Sequence, residues 1–202
     1  MIHKLLSTIL IGLISIASVA QEVGSLHKFN QFLSKNLQYS SELRSEKVQG
    51  PVTLLLSIDE QGSLKKSPSL IGGSEALAQE VFRIFELMEA QGTATILPSE
   101  IFGEEYLLSV EFKIQEPRNI GFYIPERPDS ENRIIKKLNE QIQSNPYFPK
   151  FYQQRAEYFK SIGQDLLAEL DEEKAKSLKA KELTTIVVVG YHSIHKKLLN
   201  GE

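Results

Sequence analysis

Leu107-Leu108-Ser109-Val110-Glu111-Phe112-Lys113-Ile114 is the stretch that decides the fold of this chain. Its even-numbered residues are apolar, whereas Ser109, Glu111 and Lys113 are polar. A period of two places the two sets on opposite faces of a strand, so one face packs and the other meets water. That pattern is typical of an antiparallel sheet, and the stretch predicts its last strand.

The residues before this strand predict the rest of a small α+β domain. Apolar spacings of two and of three to four residues distinguish strands from helices. In chain order they predict a helix over 26–37, a strand over 52–58, a turn over 59–62, a second strand over 63–67, ended by Pro68, and a helix that begins after Ser74. The order α-β-β-α-β predicts a three-stranded antiparallel sheet with helices on one face.

Four short segments of this region form a pattern when they are taken in order. They are Ser34-Lys35-Asn36-Leu37-Gln38-Tyr39, Gly50-Pro51-Val52, Ile58-Asp59-Glu60-Gln61-Gly62-Ser63-Leu64 and Val110-Glu111-Phe112-Lys113-Ile114. Together they make residues 21–116 resemble the C-terminal domain of TonB-like energy transducers. The family's Tyr-Pro is Tyr39-Ser40 here, and its Trp-x-x-Pro is reduced to Pro98. Transducers of this family also have a long Pro-rich spacer, whereas here the domain is expected to begin soon after the predicted cleavage site, so the resemblance extends to fold and binding mode, not to energy transduction.

The resemblance implies a binding site for extended polypeptide. In the family, a segment of an outer-membrane receptor adds to the sheet as a further strand, which is β-augmentation. The exposed edge would be the strand Leu107–Ile114, where a homodimer through the sheet edge could also form. The site residues that the resemblance implies are Gln38, Tyr39, Leu107, Ser109, Glu111 and Lys113. Glu111 and Lys113 could instead be the charges that protect an ordinary edge strand.

A helical segment over residues 131–182 is expected after a proline-containing linker, residues 117–130. The spacing of large and small residues in its second half resembles one tetratricopeptide unit (TPR-like). The packing residues that this resemblance implies are Tyr152, Ala156, Phe159, Gly163, Ala168 and Ala175. The alanines let two helices approach closely, and the aromatic rings fill the space between them. Two roles stay open, a hairpin that stabilises the neighbouring domain and a peptide-binding groove.

The C-terminal tail, residues 183–202, has two interpretations. Counting one repeat onward from Tyr152 favours a third helix that ends near Leu199. The β-branched run between Leu183 and Val189 instead suggests a strand. Such a strand could pair with the Leu107–Ile114 edge and block it.

The first twenty residues are predicted to be a signal peptide. Lys4 precedes an uncharged apolar run from Leu5 to Val19, and small residues lead to a cleavage site after Ala20. The alternative is an uncleaved anchor in the inner membrane. Cleavage would place the protein in the periplasm or outside the cell.

Composition argues against several classes of protein. The chain has 23 basic and 26 acidic residues, a net charge of −3, so it is not a strongly basic nucleic-acid binder. It has no Cys, hence no disulfide, thiolate zinc site or cysteine nucleophile. His192 and His195 lack a third metal ligand nearby in sequence. No catalytic residue, metal or cofactor is expected.

The sequence therefore predicts a non-catalytic module that binds proteins in the cell envelope. Its partners would be polypeptide segments, such as those of outer-membrane receptors in TonB-dependent transport. The alternative is an inner-membrane-anchored accessory component of a TonB-type transport system.

Overall fold

The computed structural model describes residues 26–115 and 131–191. The predicted signal peptide, the whole predicted linker and both clustered histidines lie outside these residues. The helices are α1 (His27–Asn36), α2 (Ser41–Ser45), α3 (Glu75–Gln91), α4 (Glu131–Ser144), α5 (Pro149–Ser161) and α6 (Asp165–Lys179). The strands are β1 (Gly50–Ser57), β2 (Ser69–Gly72), β3 (Glu105–Gln115) and β4 (Glu182–Tyr191).

The α+β class is confirmed, but the sheet differs from the expected one. It has four strands in the order β2-β1-β3-β4. The pairs β1–β2 and β1–β3 are antiparallel, whereas β4 runs parallel to β3. The sheet is thus mixed rather than three-stranded and antiparallel, because the C-terminal part of the chain adds a strand.

The second strand lies further along the chain than predicted. Residues 63–67 contribute only an isolated bridge between Leu64 and Ile58, and β2 is Ser69–Gly72. Pro68 has no backbone N–H to give to a ladder, so continuous pairing with β1 begins after it.

The tail forms a strand over residues 182–191, so the helix favoured for this stretch is wrong; residues 192–202 lie outside the described part of the chain. Val110 of β3 pairs with Ile186 of β4, and Phe112 pairs with Val188. Ile186 and Val188 pack against the main core. β-branched side chains fit such a pleated, half-buried surface, and burial of this stripe outweighs the repeat spacing.

One face of the sheet carries the main core. Helices α1 and α3 contribute their apolar stripes, and the even-numbered residues of β1 and β3 meet them. Fully buried members include Phe29, Leu33, Val52, Leu54, Leu56, Leu77, Ile84, Met88, Leu108, Val110 and Phe112. This half of the packing follows the alternation in the sequence.

The other face of the sheet is buried as well, where the sequence predicts contact with water. Leu107 of β3 packs with Tyr152, Ala175 and Leu178 of the helical segment. The expectation of a wet face is therefore wrong around Leu107 and Ser109, because helices from later in the chain cover it.

The last two helices of this segment, α5 and α6, pack through small residues. Ala156, Ala168 and Ala175 are buried, and Tyr152 lies between the helices and the sheet. Phe159 is half-buried, and Gly163 has a φ of 73° in the turn between the helices. Arg155 bridges them by two hydrogen bonds to Asp171, at 2.7 and 2.8 Å.

Asn145 joins the end of α4 to the sheet. Its side chain is fully buried, and its Nδ2 donates to Thr53 Oγ1 at 3.0 Å and to the Pro51 carbonyl at 3.2 Å. Thr53 also bonds to Ser109 at 3.2 Å. These bonds satisfy the polar groups that lie on the covered face of the sheet.

We expect Asn145→Ala to destabilise the protein because it leaves buried polar groups of β1 without a partner. The free energy of unfolding should fall by about 2 kcal/mol, measured by urea denaturation. Asn139→Ala is the matched control, since Asn139 is an exposed partner of Arg155. An equal loss in both variants would contradict this role for Asn145.

Candidate functional site

The predicted binding edge is covered by the chain itself. Strand β4 lies along β3 from Leu107 to Gln115, in the place expected for a partner strand. The expectation of an open edge at Leu107–Ile114 is therefore wrong for the described chain. Of the two interpretations of the tail, the paired strand is the one found for residues 182–191.

Tyr39 lies against this added strand, and Gln38 is linked to a helix. The Tyr39 ring meets Phe112 edge-on, with centroids 5.2 Å apart, and its hydroxyl donates to the Val48 carbonyl at 2.6 Å. Burial raises the pKa of the Tyr39 hydroxyl, which keeps it a donor. Gln38 is exposed, and its backbone N–H donates to Glu80 of α3 at 2.7 Å.

The predicted site residues of β3 divide into a buried pair and a charged pair. Leu107 and Ser109 are buried under the helical segment. Glu111 accepts from Lys113 at 3.1 Å and from Lys150 of α5 at 3.4 Å. The hydrogen bond to Glu111 raises the pKa of Lys113, so the Lys113 ammonium stays charged at neutral pH. Glu111 and Lys113 thus connect the sheet to α5.

Two residues that sequence analysis missed hold the end of β4. A Cβ added at Gly190 would lie 2.4 Å from Arg44 Cδ and 2.6 Å from Tyr39 Cδ1. Arg44 Nη1 also donates to the Tyr191 carbonyl at 2.8 Å. Only a residue without a side chain fits between them. A glycine inside a β-branched run marks such a close approach and is the signal that could have revealed it.

The outer side of β4, called the β4 rim below, is the edge that this end of the sheet presents. No described strand pairs with it, since β4 is last in the strand order. From Leu183 to Tyr191 it has no charged residue and no proline. Val187, Val189 and Tyr191 are 48%, 45% and 69% exposed, and their two-residue spacing puts them on one face. Edge strands are usually protected by charge, proline or a bulge, and the stretch from Leu183 to Tyr191 has no charge and no proline.

Within residues 26–115 and 131–191, no group of three or more His, Cys, Asp or Glu side chains could hold a metal ion. No helix in this part of the chain is long and apolar enough to span a membrane. Searches against protein-family models, curated proteins and solved structures found no match for this chain.

We expect Gly190→Ala to loosen the end of β4, because the new methyl group collides with Tyr39 and Arg44. Stability should fall by about 1–3 kcal/mol, the usual cost of overpacking. Amide hydrogen exchange should accelerate from Val188 to Tyr191. Val189→Ala, at the adjacent position but with its side chain on the exposed face, is the control and should leave exchange at Gly190 near the wild-type rate.

Proposed function

We propose that this protein is a non-catalytic module of the cell envelope that binds extended polypeptide by β-augmentation. In this proposal it is a TonB C-terminal-like domain, with β4 as an additional strand, and its TPR-like helices support the sheet. Because β4 covers the edge of β3, the receiving edge is the β4 rim. The observation that supports the proposal is this uncharged rim with alternating exposed apolar residues.

The backbone of the rim defines the kind of ligand that it can take. Outward N–H and C=O groups of an edge strand are satisfied by water or by another extended chain. An added strand would gain main-chain hydrogen bonds, and its alternate side chains would meet Val187, Val189 and Tyr191. A segment of an outer-membrane receptor, the partner that the TonB resemblance implies, has this extended form.

The rim is also held at both ends, which lowers the cost of binding. At its start, the Leu107 N–H donates to the Lys181 carbonyl at 2.8 Å, and Lys179 pairs with Glu182. At its end, Arg44 holds the Tyr191 carbonyl. A strand already fixed in its bound conformation loses little conformational entropy when a partner adds to it.

Photocrosslinking in intact cells tests the site. A photoreactive residue at Val187 or Val189 should capture one defined polypeptide segment, identified by mass spectrometry. The same residue at Leu166, an apolar position of α6 that is 71% exposed, is the matched control and should not capture that segment. Equal capture from Leu166, or none from either rim position, would contradict the proposal.

The second part of the proposal is that the protein is exported, with residues 1–20 as its signal peptide. Signal-peptide cleavage after Ala20 makes Gln21 the first residue of the mature protein. The competing function, an inner-membrane-anchored accessory component of a TonB-type system, would keep the apolar run Leu5–Val19 as its anchor. We expect N-terminal sequencing of the protein from fractionated cells to begin at Gln21. An intact Met1 in the membrane fraction would support the anchored form instead.

A further inference from the structure

We propose that the β4 rim binds the β4 rim of a second copy of this chain, in antiparallel orientation about a two-fold axis. The two sheets then form one continuous sheet of eight strands, with both β4 strands at its centre. This inference rests on one part of the proposed function, that the rim accepts an added strand, and it names a second copy as the source of that strand in place of a receptor segment.

The rim is complementary to itself in charge. Because residues 183–191 contain no charged side chain, no antiparallel register of two such segments places like charges opposite each other. A foreign strand with acidic or basic residues gains no ion pair from this segment. An uncharged apolar strand is the best match, and every copy of the chain supplies one.

The rim is also complementary to itself in shape. An axis through Val187 places this residue opposite Val187 of the second copy. The same axis sets Thr185 opposite Val189 of the second copy. Both pairs join β-branched side chains, which are favourable cross-strand pairs of a sheet. Pairing would bring the exposed stripe of each copy, Val187 and Val189, beside its counterpart.

This association stops at two copies. A two-fold interface uses the same surface on both subunits, so it consumes both rims at once. The opposite edge of the sheet is β2, which has only four residues, Ser69–Gly72. The Gly73 N–H just beyond it donates to the Ser144 carbonyl at 2.9 Å, and Asn145 lies against Gly72. The helical segment therefore occupies the end of β2, and no second long edge remains among the described strands.

Sedimentation equilibrium of the full chain tests the proposal. The wild type should have a mass twice that of one chain. The double variant Val187→Lys with Val189→Lys should dimerise at least about 30-fold more weakly, because like charges would face each other across the axis. Leu166→Lys with Leu170→Lys is the matched control and should dimerise as the wild type does, since these leucines are 71% and 55% exposed but belong to helix α6 and not to the edge strand. Urea denaturation of each variant verifies that it is folded.

The outcomes separate this inference from the proposed function. A wild type that is monomeric throughout, or a dimer that only the α6 variant disrupts, would overturn the inference. If the protein is monomeric but the photoreactive residue at Val189 captures a different polypeptide, the rim still accepts a strand and only the second copy is excluded. If the protein is monomeric and neither rim position captures anything, both proposals fail.

Discussion

The parallel pairing of β4 with β3 is the constraint on which the rest of the architecture depends. Two antiparallel strands can be joined by a tight turn, but two parallel strands need a crossover that returns to the starting end of the sheet. β3 ends at Gln115 and β4 begins at Glu182, and helices α4, α5 and α6 lie in the connection. The helical segment is therefore the crossover of this pairing, and it covers a face of the sheet as crossover helices do. The same geometry accounts for the burial of Leu107 and Ser109.

The elements of this fold that depend on local sequence patterns could be predicted from the sequence. Alternation in β1 and β3 and the apolar stripes of α1 and α3 identified those elements and their shared core, since these patterns need no knowledge of distant residues. The burial of Thr53 and Ser109 could not be predicted, because the group that satisfies them, Asn145, comes from a helix distant in sequence. Burial of a polar face becomes visible only once the position of the helices is known.

The candidate site likewise has a part that the sequence predicted and a part that required the structure. The resemblance led to Tyr39 and to β3, and the structure brings both to the added strand. The roles of Arg44 and Gly190 can be recognised only once β4 lies beside β3, because their contact joins residues that are far apart in the sequence. The glycine was nevertheless visible as an interruption in a β-branched run. A glycine inside such a run predicts that another part of the chain approaches the strand closely, but it does not predict which residues approach.

The distribution of charge on the sheet supports the interpretation that a partner strand covers the β4 rim. Glu111 and Lys113 are the residues that would protect an edge, but they lie on β3, which is an internal strand. They pair with each other, and Glu111 also pairs with Lys150. The strand that is the real edge, β4, has no such charge from Leu183 to Tyr191. An uncharged edge left open in a folded protein invites uncontrolled pairing with other chains. A specific partner strand removes that liability, and this argument favours a functional interface at the rim over an unprotected edge.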